Sequence, residues 1–238
     1  MSTNKGNRMN VKIIGIGGGG VNVVGHLQEL GDFSGECILM DTHIQSLQFN
    51  NATRKVQLGK HITKGRGAAN PLIGIDSAVD SLDEIQEVIS GVDVIVIVAS
   101  MGGGTGTAVA PILAREAAKR GIATIGLAAL PFDFEGEKRK HRAEIGIELL
   151  EGQLAYLRIY QNERVLGKEL PYSLLEEFGN SDHAQAGIIK DMIDNIDEFI
   201  GSNNAKVKEM IPDINVIRQH FSEVKKRIND TCTVFATH

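Results

Sequence analysis

The chain holds 238 residues, 42% of them hydrophobic, with a formal net charge of −5. That length allows one large domain or two small ones around a substantial core. The negative balance, the absence of Trp and the three Tyr exclude a nucleic-acid partner read through charge and base stacking.

Residues 1–10 are polar and read as a disordered tail with no apolar signal core. Val11 to Ile16 is an apolar, β-rich run, followed by a glycine loop and a helical stretch through Leu30. Cys37 to Asp41 reads as a second strand and Val56 to Leu58 as a short third. After Pro71, residues Ile75, Val79, Leu82, Ile85 and Ile89 recur at helical spacing. Val92 to Ala99 is apolar throughout except for Asp93, as expected of a strand buried on both faces, and a second glycine loop leads into a helix over Val109 to Lys119. Ile122 to Leu130 is a further strand, ended by Pro131; Glu137 to Glu151 reads as helix and Leu154 to Tyr160 as strand. Within 181–200, residues Ile189, Met192, Ile193, Ile196, Phe199 and Ile200 share one face of a long helix, a stripe that reads as core packing. Ser181 is placed to cap its start and Gly201 its end. A short helix over Val216 to Ile228 and a strand over Thr231 to Ala236 follow.

Strands alternating with helices give βαβ units, so the expected fold is a three-layer, doubly wound α/β domain with a mostly parallel sheet. Such sheets bind ligands outside the carboxyl ends of their strands, where both glycine loops sit. No apolar run is long enough to span a bilayer. Cys37 and Cys232 make neither a metal spacing nor a disulfide framework, and Cys37 reads as a small buried hydrophobe. The expected location is cytoplasmic, without membrane insertion and without a protein metal cluster.

Two loops carry the chemistry. Met101-Gly102-Gly103-Gly104-Thr105-Gly106-Thr107-Ala108 joins a strand to a helix and has the composition of a phosphate cradle. Glycine lets the backbone take positive φ and lets amides approach an anion closely. The threonine hydroxyls add donors, and the helix start adds a favourable dipole. The earlier loop, Gly15 to Asn22, contains G-x-G-x-x-G at Gly15, Gly17 and Gly20, with Asp41 at the end of the next strand. Alone, that pattern suggests NAD; a run of glycines serving only turn geometry is the plainer reading. Gly20 to Gly25 has the Walker spacing, but His26-Leu27 follows it, so no lysine grips a terminal phosphate. Two cradles facing one another suit a polyphosphate held mainly by backbone amides.

These residues resemble the nucleotide-binding domain of the FtsZ/tubulin superfamily, and FtsZ more than tubulin. The first loop, Asp41 to Leu47, Gly102 to Thr107, Pro131 to Gly136 with Lys138-Arg139, Gln161 to Arg164, and Phe178-Gly179 each resemble one of its motifs, in family order, over roughly residues 10 to 200. The resemblance implies a GTP-binding domain over 11–201, with its central helix at 181–200, and 202–238 as the start of a second domain. It implies that Gly18, Gly19, Gly20, Gly102, Gly103, Gly104, Thr105, Gly106 and Thr107 hold phosphates, and that Glu135 and Arg139 meet the ribose. Asn22, Asn162 and Asp182 would read guanine, and Phe178 would stack on the base or serve as a core aromatic. The cofactors implied are GTP or GDP and Mg²⁺, and the partner a second copy bound head to tail.

The departures are equally specific. Ala108 stands where the family has glycine, and the third loop, Gly67-Ala68-Ala69-Asn70, is one residue short and preceded by Arg66, either a phosphate contact or a solvated cation. The N-x-D-x-x-D loop that completes the neighbour's site is degenerate. Neither alignment keeps both aspartates, which leaves Glu223 and Asp213 as surrogate catalytic carboxylates or as ordinary surface residues. The chain also stops where a second, β-rich domain would begin, as in a naturally short relative or a piece of a longer chain. Three functions are therefore expected in turn: a self-assembling GTPase of the cell-division cytoskeleton type, a non-hydrolysing monomeric GTP-binding module or regulator of a filament former, and, more remotely, a NAD-binding enzyme.

Overall fold

A computed structural model describes residues 9–31, 35–162, 174–201 and 213–223, with the side chains of 174–178, 197, 198 and 201 set aside. The elements in chain order are β1 (Val11–Ile16), α1 (Gly17–Leu30), β2 (Glu36–Asp41), α2 (Ile44–Phe49), β3 (Arg54–Gln57), α3 (Lys60–Thr63), α4 (Pro71–Asp80), α5 (Leu82–Val88), β4 (Val94–Ser100), α6 (Thr105–Lys119), β5 (Ala123–Leu130), α7 (Glu137–Glu151), β6 (Tyr156–Gln161), α8 (Leu174–Asp194) and α9 (Ile196–Gly201). A further helix covers 214–223.

The six strands form one sheet in the order β3-β2-β1-β4-β5-β6, every pair parallel. The central strands owe their place to side chains that are apolar on both faces. Ile14, Ile16, Ile38, Met40, Ile95 and Ile97 pack one way, against α4, α5, α6 and α7. Ile13, Cys37, Leu39, Val94, Val96 and Val98 pack the other way, against α1 and α8. The alternation is the two-residue period of a strand, so each helical layer receives its own core. Cys37 is fully buried there, and burial pushes its thiol up to about 11, so it stays an unreactive hydrophobe.

The structure differs from the sequence reading in boundaries more than in kind. The apolar series from Ile75 to Ile89 is two helices, broken at Ser81, whose backbone (φ −114°, ψ 27°) leaves the helical region. The first of them starts on Pro71 with Asn70 as cap: the Leu72 and Ile73 amides donate to its Oδ1 at 3.0 and 3.3 Å. The long helix begins at Leu174, before Ser181, and stops at Asp194, so Ser181 lies in the helix interior and is no cap. Gly201 does end α9. The expected strand over Thr231 to Ala236, the tail 1–8 and residues 224–228 of the expected helix lie outside the described residues. No helix among the described residues is long and apolar enough to cross a membrane.

Candidate functional site

The chain leaves β1 toward one face of the sheet, into α1, and leaves its neighbour β4 toward the other face, into α6. That reversal opens a crevice at the strands' carboxyl ends. Both helices begin in it on glycine-rich turns. Neither start carries a side-chain cap, so the first amides of each remain free to donate. The two starts are in contact: a Cβ on Gly17, which holds φ +70°, would lie 2.8 Å from the Gly106 nitrogen.

The glycines of the two turns do different jobs. A Cβ on Gly104 would lie 2.1 Å from the Ala68 carbonyl oxygen, and one on Gly106 would lie 2.4 Å from that of Ser100. These positions let backbones meet. Gly18 and Gly103 are open instead: a Cβ at Gly18 meets nothing within 4 Å, and one at Gly103 meets only the Arg139 guanidinium at 3.9 Å. Both line a cavity of about 420 Å³, and a missing side chain there leaves room beside free amides.

Gly18, Gly19, Gly103, Gly104, Thr105, Gly106, Asn22, Glu135, Arg139, Asn162 and Asp182 all line this one cavity. Gly20, Gly102 and Thr107, expected with them, are not among its lining residues. Gly20 packs on β4, its Cβ position taken by the Val98 carbonyl. The Gly102 amide donates to the Thr107 hydroxyl at 2.8 Å, so that pair shapes the turn. The side chain of Phe178 is outside the described set.

Hydroxyls tie the loops together. The Thr42 and Thr105 hydroxyls share a hydrogen at 2.7 Å, and the Ala68 amide of the third loop donates to Thr42 at 2.8 Å. Arg66 is exposed beside this loop and does not line the cavity. Asp41, the candidate for a dinucleotide ribose, is 3% exposed; its carboxylate receives the Thr42 amide at 2.7 Å and the Ser46 hydroxyl. Its own turn thus uses the acceptors that a NAD ribose would need. On the opposite wall Glu135 receives the Phe132 amide at 2.9 Å and pairs with Arg139.

The far end of the cavity is built by β6 and α8. The Asn162 amide donates to the Leu130 carbonyl at 2.7 Å, and the Ser181 hydroxyl donates to Asn162 Oδ1 at 2.7 Å. Asp182 is 9% exposed and, among the described residues, accepts no hydrogen bond. Burial pushes its carboxyl up to about 7, with His183 pulling partly the other way. Its oxygens reach the cavity rather than being sealed in the core, so an acceptor without a protein donor is open there to a ligand donor. Gln185, Ser100, His43 and Thr42 complete the site; sequence reading passed over Gln185 and Ser100 and took Thr42 and His43 only as part of the Asp41 to Leu47 motif, with no role assigned. An isolated polar residue on a helix or strand end carries no spacing signal.

The two candidate carboxylates lie elsewhere. The Asn215 amide donates to Asp213 Oδ1 at 2.8 Å, and Asp213 faces Arg115 of α6 at 3.8 Å. Arg115 is ten residues beyond Thr105, or about 15 Å along the helix from the cavity. Glu223 is exposed and receives the Gln219 amide at 2.8 Å. Among the described residues no three His, Cys, Asp or Glu side chains gather as a metal site.

Residues 10–168 match the model of the Tubulin/FtsZ family, GTPase domain. The chain belongs to the Tubulin/FtsZ family. It is 38% identical over 212 residues to the cell division protein FtsZ of Azotobacter vinelandii, a match covering 87% of this chain and 53% of that protein. The chain thus spans about half the length of that curated relative. Among solved structures, it superposes on an empty FtsZ dimer of M. jannaschii with a TM-score of 0.75 and 30% identity, over 80% of this chain and 56% of that one. A GTPγS-bound CetZ2 protofilament from Haloferax volcanii shares the fold, with a TM-score of 0.70 and 20% identity over 78% of this chain and 58% of that one. The six-stranded parallel sheet is that of an FtsZ-family GTPase domain.

Proposed function

We propose that the cavity binds a guanosine di- or triphosphate, with phosphates against the two uncapped helix starts and guanine against Asp182. The observation that carries this reading is Asp182 itself. It is a buried carboxylate without a donor, at the end of the cavity away from the phosphate cradle. Guanine offers N1–H and N2–H₂ side by side, which a carboxylate accepts together; adenine has an acceptor at N1 and leaves the carboxylate unpaired. Gly18, Gly19 and Gly103 to Gly106 would face the phosphates through amides, and the α1 and α6 dipoles would favour their charge. Glu135 would accept from the ribose hydroxyls, held in place by Arg139. Asn162 spends one donor and one acceptor on Leu130 and Ser181, so it fixes the wall more than it reads the base.

The residues present do not form a magnesium cage. Of the lining carboxylates, Asp41 is engaged by its own turn, Glu135 is paired, and Asp182 lies at the base end. Mg²⁺ would be held by phosphate oxygens and water, as this ion commonly is.

We infer further that hydrolysis requires a second copy placed head to tail. Asp213 and Glu223, the two candidate catalytic carboxylates, lie outside the cavity, and Asp213 sits against the end of α6 away from it, so these two would reach a phosphate only in a neighbouring chain. A non-hydrolysing module is the competing reading. Its support is that Asp213 already caps a helix and Glu223 already accepts from Gln219, so neither is a free base. Phosphate release from GTP across a range of protein concentrations, with light scattering, separates the two. Specific activity that rises with concentration supports assembly-coupled turnover; bound GTP with no turnover at any concentration supports the module.

A further inference from the structure

Gln185 is 3% exposed, lies one helical turn beyond Asp182 on α8, and lines the same cavity. Its Nε2 donates to the Ser181 hydroxyl at 3.0 Å, and no described group donates to its Oε1. The orientation of this amide is fixed by a chain of hydrogen bonds that begins at a backbone carbonyl. Leu130 O can only accept, so Asn162 must present Nδ2 to it, at 2.7 Å. Asn162 Oδ1 is then an acceptor, so Ser181 must donate its single hydrogen there, at 2.7 Å. With that hydrogen committed, Ser181 can only accept from Gln185. Gln185 must therefore turn Nε2 to Ser181, which leaves Oε1 as the free acceptor.

From this chain we infer that Gln185 is a second base-reading residue, whose Oε1 accepts the exocyclic amine hydrogen of guanine that Asp182 does not take. The inference rests on the guanine-nucleotide reading above. The guanine edge has three N–H hydrogens, one on N1 and two on N2. A carboxylate in line with N1 and N2 takes two of them. The third needs another acceptor, and leaving it without one in a buried site is unfavourable. Ser181 and Asn162 act as positioning residues that set the polarity of the Gln185 amide. A leucine at 185 would fill the same space and accept nothing.

The test is calorimetric titration of the whole chain at pH 8 with GTP and with inosine triphosphate, which keeps N1–H and lacks the N2 amine. The wild type is expected to prefer GTP. In Gln185→Leu, GTP affinity should fall by about tenfold, the loss of one buried hydrogen bond. Inosine triphosphate affinity should be unchanged, so that the ratio of the two contracts by the same factor. Ser181→Ala, which frees the Gln185 amide to turn, should contract the ratio in the same direction and serves where the leucine variant melts early. A wild type that binds GTP, with variants that weaken both nucleotides equally, overturns the inference and leaves the guanine reading standing. A wild type that binds neither nucleotide overturns both.

Discussion

The two ends of α6 are built on opposite principles. At its start, Gly104 to Gly106 present uncapped amides to a cavity in which Arg139 is already paired with Glu135. At its end, Glu116 is 3% exposed and saturated: Arg115, Lys119 and Arg120 donate to its carboxylate at 2.5, 3.0 and 3.1 Å, and the Gln86 amide does so at 3.2 Å. Polar groups left without partners mark where a ligand completes the structure, and polar groups with all partners present mark where the structure is complete without one. Asp213 belongs to the saturated end. Its place against Arg115 suits anchoring of the 214–223 helix, together with the 2.7 Å pair between Arg218 and Asp76 of α4.

The contrast breaks most directly in the cradle. Gly18→Val with Gly103→Val puts side chains into the two open positions, where a Cβ meets no protein backbone within 4 Å. Removing two charge-assisted hydrogen bonds at about 1.5–3 kcal/mol each should lower GTP affinity by at least about 100-fold. The thermal midpoint of the nucleotide-free protein should stay the same, as differential scanning calorimetry can check. At the other end the pattern inverts. Glu116→Gln removes the carboxylate closest to buried Arg115 and shared with Lys119 and Arg120, and should cost about 3 kcal/mol of stability in urea unfolding, with GTP affinity per folded molecule unchanged. Burial pushes the Glu116 carboxyl up, but the Lys119 and Arg120 hydrogen bonds outweigh it and hold the group below its ordinary value. Its stabilisation is therefore present at neutral pH and lost as pH falls through that depressed value.

How much of this was legible in the sequence follows the same division. The strands are runs of apolar residues on both faces, and the cradle turns are glycines in a fixed pattern, so both show in composition and spacing. The short helices α2 and α3, six and four residues long, complete too little of a period to show. The start of α8 was missed because Glu176, Glu177 and Asn180 interrupt the apolar series before Ser181. Gln185 was invisible for a different reason. A glutamine on a helix reads as solvated, and only the hydrogen bonds running back to Leu130 give it a direction. The glycines also divide in a way that spacing alone does not show: Gly18 and Gly103 leave space, whereas Gly104 and Gly106 permit backbone contact.

Two smaller effects sharpen the comparison. Asp182 must be ionised to accept from guanine, and its carboxyl sits at about 7 in the nucleotide-free protein. GTP affinity should therefore be highest above pH 7 and fall by up to about tenfold for each unit below it, a slope that Asp182→Asn should remove. The sign reverses for the nucleotide-free fold. A carboxyl raised on folding makes stability decline as pH rises from about 4 to 7, so the two pH profiles should run in opposite directions. The smallest effect is at Asp213. Asp213→Ala removes a helix cap and a largely exposed ion pair, which should cost about 1 kcal/mol or less in thermal unfolding and leave GTP affinity unchanged.

The central claim is that one switch-point cavity, two glycine-lined helix starts and a buried carboxylate select a guanine nucleotide. Equilibrium titration of the chain at pH 8 with GTP, ATP and NAD tests it most directly. The account predicts saturable GTP binding at one site per chain, with ATP and NAD weaker by at least about 100-fold because each leaves the Asp182 carboxylate without its donors. Equal affinity for ATP, displacement of GTP by NAD at similar concentration, or no binding of GTP would contradict it.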